Sequence, residues 1–275
     1  MDWKLKTWIA GCGATAVLCC ATGFAADIAA AKANPIEGAV QNAAGSPPVG
    51  TVISETVPED EQIKTDCAKI DTYAQAGNNA YQQGHMARAV DEFTAQAAWS
   101  EFCRLPREAT ATAYNNVALA LIRSGEPLQA RAWLSLAPDD GKSRANLALI
   151  RPVLDRLQPA LAATPMGNYW RYAGKGVWSS VSVMPEGDNW RITFAGYYMP
   201  GMGLYYGPNM GNFSVVQSLA GGQAVYLQDE QEQGSACQVN LNFTPDRVHL
   251  DTVAGDCGFG MNVRASGDFL RVSIY

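Results

Sequence analysis

A chain of 275 residues that is 48% hydrophobic and 17% charged is too apolar to be disordered and long enough for two domains. Twenty Lys and Arg against 26 Asp and Glu leave a formal charge of −6. That balance argues against nucleic acid or an anionic membrane surface as the main partner.

The chain opens with Lys4 and Lys6, continues through a small, apolar run from Ile9 to Ala21, and reaches Gly23-Phe24-Ala25 before Ala26. A positive start, an apolar stretch and a small-x-small site predict a bacterial-type secretory signal over 1–25, removed after Ala25 or Ala26. Ile9-Ala10-Gly11-Cys12 also resembles a lipobox, with lipid anchoring at Cys12 as the alternative. The run is short for a bilayer and no later segment is longer and as apolar, so no stable membrane span is predicted. Loss of Asp2, Lys4 and Lys6 with the leader makes the mature chain one unit more negative. The expected compartment is the periplasm or the exterior.

Export governs how the cysteines are read. Of seven, Cys12, Cys19 and Cys20 leave with the leader, and Cys67, Cys103, Cys237 and Cys257 remain. An even number in an oxidising compartment favours disulfides, and the absence of a CxxC pair argues against zinc.

Residues 26–62 are rich in Ala, Gly, Pro and Val. They contain Ala44-Gly45-Ser46-Pro47-Pro48 and the acidic run Glu59-Asp60-Glu61. Prolines there exclude a continuous helix or a central strand, and the segment is predicted to be a flexible tether.

From 63 to 160 the pattern is helical. Asn78-Asn79 precedes Gly84 and Ala89 in one stretch; Asn115-Asn116 precedes Gly125 and Ala130 in another. A turn glycine ends a helix without a Cβ penalty, and an alanine five residues later allows close helix approach. Over residues 66 to 138 this resembles about two tetratricopeptide repeats, helix–turn–helix units. The resemblance implies a protein-binding groove, with Asn78, Asn79, Asn115 and Asn116 as its candidate residues, and a protein partner. The glycines are 41 residues apart, against the usual 34, and an insertion near Pro106 accounts for the difference. Leu147, Ile150, Leu154 and Leu157 predict a capping helix over 143–157. Cys67 and Cys103 each lie 18 residues from position 85, so a hairpin turning there brings the two thiols together.

From 166 to 275 the pattern has period two. Trp190-Ile192-Phe194, Val239-Leu241-Phe243, Val248-Leu250 and Leu270-Val272-Ile274 each alternate with their neighbours. Turn signals at Glu186-Gly187-Asp188, Gly221-Gly222, Thr244-Pro245-Asp246 and Ser266-Gly267-Asp268 divide the runs. Seven or eight strands in an antiparallel sheet or small barrel are predicted. The fold class is therefore α+β, with helical hairpins first and a β domain second. A hairpin through Pro245 lets Cys257 fold back to Cys237, giving the second disulfide. The Cys257-Gly258-Phe259-Gly260 turn and the strand after it resemble, over 236–275, the closing hairpin of small exported β domains such as periplasmic lysozyme inhibitors and immunity-type proteins. No inhibitory residue is carried over from that resemblance. Tyr275 ends the chain on an aromatic, but Arg271 and Ser273 share its face, which argues against an outer-membrane barrel.

Residues 196–211 hold Tyr197, Tyr198, Met199, Met202, Tyr205, Tyr206 and Met210 among glycines and prolines. Two readings stand. These side chains form a recognition loop, or the loop folds its aromatics back over the barrel end. Catalysis has little support. His85 falls in a repeat turn, and His249 lies near Asp246 and Asp251 without a GxSxG, phosphate-loop, HExxH or calcium-loop motif. No cofactor, metal or catalytic residue is predicted. The sequence points to protein binding, with an inhibitor or immunity role, an envelope scaffold, or a hydrolase built on Asp246, His249 and Asp251 as the competing forms.

Overall fold

The computed structural model describes residues 60–229 and 236–275. The predicted signal and nearly all of the predicted tether lie outside the described residues. The last three positions assigned to the tether open helix α1 (Asp60–Cys67).

Two helical hairpins follow. The first is α2 (Ile70–Gln82) and α3 (Met86–Phe102); the second is α4 (Arg107–Arg123) and α5 (Pro127–Leu134). Their turns repeat at an offset of 41 residues. Gly84 and Gly125 both sit at positive φ, 82° and 85°. The amide after each glycine reaches back to the equivalent carbonyl, His85 to Ala80 and Glu126 to Leu121, both at 2.9 Å. This six-to-one closure requires a left-handed residue, which is why glycine ends each first helix. Ala89 and Ala130, five residues later, are fully buried. Alanines at 97, 111, 113, 118 and 120 keep the helix axes close around Phe93, Val117, Trp133 and Leu134.

The Asn-Asn pairs do not share this register. Asn78 and Asn79 lie six and five residues before their glycine; Asn115 and Asn116 lie ten and nine before theirs. The second pair therefore sits one turn earlier on its helix and faces different neighbours. The extra length between the glycines is held in a 17-residue α3 and the Cys103–Pro106 turn, where Arg104 takes a positive φ of 54°.

Helix α6 (Gly141–Ala163) is longer than the predicted cap. Asp140 caps its start by accepting from the Ser143 amide at 2.9 Å. Ile150 is buried against the hairpins, with Leu147 and Leu154 packed beside it.

Eight strands form one antiparallel sheet: β1 (Gly167–Gly174), β2 (Val177–Glu186), β3 (Asn189–Tyr198), β4 (Asn209–Gln217), β5 (Gln223–Gln228), β6 (Cys237–Thr244), β7 (Arg247–Gly255) and β8 (Gly267–Arg271). A short helix, α7 (Gly203–Tyr206), connects β3 to β4. The strand order β4-β3-β2-β1-β8-β7-β6-β5 joins two four-stranded meanders through the short β1–β8 pairing, Tyr169 opposite Arg271 and Trp170 opposite Leu270. The sheet curls into a nearly closed barrel. Tyr169, Phe194, Phe213, Tyr226 and Phe269 fill its interior with edge-on and stacked ring contacts.

Strand β8 corrects the predicted alternation. Phe269 and Arg271 point inward and are fully buried, while Leu270 is half-buried on the outer face. Arg271 is held by carbonyls at the barrel end, which is why a charged side chain takes an inward position. Gly267, predicted to be in a turn, opens the strand instead.

Cys67–Cys103 and Cys237–Cys257 are disulfide-bonded, with Cα separations of 5.9 and 5.0 Å. The first closes the open end of the first hairpin and holds α1. The second ties the start of β6 to the loop after β7. Helices and strands belong to one compact unit rather than two separate bodies.

Candidate functional site

The face of the hairpins formed by α3 and α5 is covered by the chain itself. The β1–β2 turn, Gly174-Lys175-Gly176, lies against α3, where a Cβ on Gly176 would stand 3.0 Å from the Thr94 methyl. Glu101 of α3 anchors this turn. It accepts from the Tyr114 hydroxyl at 2.9 Å, from the Lys175 amide at 2.8 Å and from the Tyr172 hydroxyl. The Tyr172 hydroxyl in turn accepts from the Gly176 amide at 2.8 Å. Burial, with the nearby Glu101 charge adding to it, pushes both tyrosine hydroxyls well above their usual range, so both stay protonated as donors. Tyr114, Trp133, Tyr172 and Trp178 complete an aromatic seal around the carboxylate. This arrangement is a structural lock.

The predicted groove residues separate. Asn115 is 2% exposed. Its amide nitrogen lies 2.9–3.2 Å from the Ala111 carbonyl, the Ser143 hydroxyl and the Asp140 carboxylate, and its oxygen accepts from Asn146 at 2.8 Å. Asn116 donates to Gln96 at 3.1 Å. Both asparagines tie helices together; Asn115 is buried with its amide partners inside, while Asn116 is half-buried. Asn78 and Asn79 are exposed.

The 196–211 segment is not one long loop. Tyr197 and Tyr198 end β3, opposite Met210 and Asn209 of β4. The turn between them divides its side chains. Met199 is buried. Tyr205 docks on the helices: its ring packs edge-on against Trp99 and Phe102, and its hydroxyl donates to Asp66 of α1 at 2.8 Å. Lys175 holds the turn by donating to the Pro200 carbonyl at 2.8 Å. Met202 is half-buried. Tyr198, Tyr206 and Met210 remain exposed, Tyr206 at 52% and Met210 at 59%.

A neighbour absent from the predicted set joins them. Met261 is 76% exposed. Its carbonyl accepts from Asn209 at 2.8 Å, and the adjacent Gly260 amide donates to the Met210 carbonyl at 2.9 Å. The loop after β7 therefore lies alongside the start of β4. Phe259 packs against Gly211, where a Cβ would meet the ring at 2.6 Å, and Cys257 pins the loop by its disulfide. Four exposed side chains thus stand at this end of the barrel, on the end of β3, on α7, on the start of β4 and on the loop after β7, with Tyr198 and Met210 on opposite faces of the β3–β4 pair. The spacing of single residues in sequence gave no sign of Met261, since a disulfide and a glycine approach bring it there.

Among the described residues no hydrogen bond joins Asp246, His249 and Asp251. His249 Nδ1 lies 3.0 Å from Asp268 on neighbouring β8, and both are about half exposed. Asp246 turns its carboxylate to Thr244 and Arg247, while its carbonyl accepts from the Arg271 amide at 2.8 Å. Asp251 is exposed, opposite Asn240. A separate apolar cleft of about 310 Å³ lies between Ile122, Leu128, Ile150, Val153, Leu157 and the final residues Val272–Tyr275. Its lining carries few polar groups to orient a substrate. In comparison with known proteins, no family model, curated relative or solved structure matches the chain.

Proposed function

We propose that the chain is an exported, non-catalytic protein-binding protein whose recognition surface is the barrel end bearing Tyr198, Tyr206, Met210 and Met261. The exposure of these four side chains, beside segments joined by hydrogen bonds and a disulfide, carries the reading. Tyrosine and methionine are enriched where proteins meet, and a braced surface loses little entropy on binding. The tetratricopeptide-like hairpins act in this proposal as a brace, with one face taken up by the β1–β2 turn. Inhibition of a secreted cell-wall hydrolase or toxin is the form most in keeping with two disulfides and a small β domain.

The test is a Tyr206→Ser/Met261→Ser variant of the full chain, compared with the parent by crosslinking in envelope extracts. The parent is expected to capture one partner in stoichiometric amount, and the variant to lose it while keeping its circular dichroism and both disulfides. Equal capture by both chains, or no partner for either, would overturn the proposal.

A further inference from the structure

Strands β4 and β5 are consecutive in the chain, yet they stand at opposite ends of the strand order. Their meeting would close the barrel. The Phe213 and Tyr226 rings stack across this seam at 4.2 Å and 10°. No backbone ladder forms between the two strands among the described residues.

One rung is filled by a side chain. The Gln217 carboxamide donates to the Val225 carbonyl at 2.9 Å and accepts from the Val225 amide at 3.3 Å. A primary amide stands here in the place of a peptide group from an adjoining strand. The contact also shows which backbone groups of β5 face the seam. Val225 turns its amide and carbonyl there, so Leu227, two residues on, does the same, and the residues between turn theirs to β6.

Sheet edges in monomeric proteins are blunted by charge, proline or bulges. The β4 sequence NMGNFSVVQ and the β5 sequence QAVYLQ contain no charged residue and no proline. Val216, Val225 and Leu227 are exposed on the outer face, Leu227 at 69%.

We infer that the seam between β4 and β5 accepts a strand, and that its occupant is an extended, uncharged segment of a partner protein with aliphatic side chains at alternate positions. This rests on the protein-binding reading above and gives its mode. The segment displaces the Gln217 carboxamide, parts the Phe213–Tyr226 ring stack and pairs with Val225 and Leu227. Its aliphatic side chains lie along Val216, Val225 and Leu227. Main-chain hydrogen bonds supply affinity and the alternate side chains supply selectivity. A helix would leave the rungs at Val225 and Leu227 unpaired, and a charged segment would place its charge against uncharged, apolar edges.

The probe is a blocked heptapeptide of alternating threonine and valine, added to the full chain while single-residue amide exchange is followed. Exchange at Val225 and Leu227 is expected to slow by about tenfold or more at saturating peptide. Leu227→Pro removes an amide that faces the seam, a position where proline is tolerated, and is expected to weaken peptide binding by about tenfold. Gln217→Ala removes the competing amide and is expected to tighten binding. No slowing, equal slowing in Leu227→Pro, or equal slowing by a peptide N-methylated on alternate residues would overturn the inference. Protection that rises with protein concentration alone would also overturn it, by showing a second copy as the occupant. The Tyr206→Ser/Met261→Ser variant keeps the seam, so loss of the partner there with peptide protection retained separates the two proposals.

Discussion

Arg271 donates to the Leu161 carbonyl at 2.6 Å, tying the last strand of the barrel to the last turn of α6. The same guanidinium reaches the Pro245 and Ser273 carbonyls at 3.2 Å, and Met166 as well. Arg131 of α5 donates to the Arg271 carbonyl at 2.9 Å. Burial lowers the pKa of both arginines, opposed at Arg131 by the nearby Asp246 charge, and both guanidinium groups donate to neutral carbonyls. Arg271→Met should therefore cost about 3 kcal/mol, because several buried carbonyls lose their donor. Urea denaturation measures it. A loss below about 0.5 kcal/mol, the range of ordinary surface changes, would show that water replaces the guanidinium.

The Cys67–Cys103 bond closes a separation of 36 residues and the Cys237–Cys257 bond one of 20. Loop-closure entropy assigns each about 3–4 kcal/mol. The two differ in what they hold. Cys67→Ser/Cys103→Ser should release α1 first, since α1 has only one buried residue, Asp66. Amide exchange should speed up across Asp60–Cys67 before the sheet responds. Cys237→Ser/Cys257→Ser should instead free the Cys257–Val263 loop and loosen Gly260 and Met261 from the start of β4. If both variants lost all protection together, the chain would unfold as one unit and this ordering would be wrong.

Asp66 supplies a pH dependence. Hydrogen bonds from Gln62, then Lys69 and Tyr205, lower its pKa from 3.8 to about 2. A folded-state value below the unfolded one contributes stability above pH 3.8, and that contribution is lost as pH falls through 2. The docking of α1 on Tyr205 should thus weaken in acid while neutral pH leaves it intact. Tyr205→Phe removes one donor, so the Asp66 carboxyl should titrate closer to 3.8 in an NMR titration. An unchanged Asp66 titration in Tyr205→Phe would count against the hydrogen bond as a cause.

Much of the architecture was legible because it rests on local chemistry. Gly84 and Gly125 marked the turns, alternation at 190–194 and 239–243 marked strands, and equal spacing of Cys67 and Cys103 from the turn located their meeting. What stayed hidden depends on contacts distant in sequence. Arg271 is inward because carbonyls 26 to 110 residues away receive it. Tyr205 is a docking residue because α1 presents Asp66, 139 residues away. The loop carrying Met261 reaches the start of β4 through a disulfide and a close approach at Gly211. The identical dipeptides at 78–79 and 115–116 misled for a related reason: composition repeats, but their distance to the turn glycine does not.

Phe93 packs so closely on Gly77 that a Cβ at 77 would lie 2.5 Å from its ring. At the 41-residue offset the second hairpin places Leu134 and Ala118 at these positions, both fully buried. A larger second-helix side chain thus goes with a missing methyl on the first helix, and a smaller one goes with its presence. Gly77→Ala alone should destabilise by about 2 kcal/mol, since overpacking exceeds the roughly 1 kcal/mol gained in helix propensity. Phe93→Leu alone should cost about 1–2 kcal/mol through lost ring contacts. Together they recreate the pairing of the second hairpin, so the double variant should be more stable than the sum of the single losses by about 1 kcal/mol or more. Denaturant midpoints of the four chains give this coupling directly. Additive losses would mean that Phe93 moves aside for the methyl, and that Gly77 is set by the backbone instead of by its neighbour.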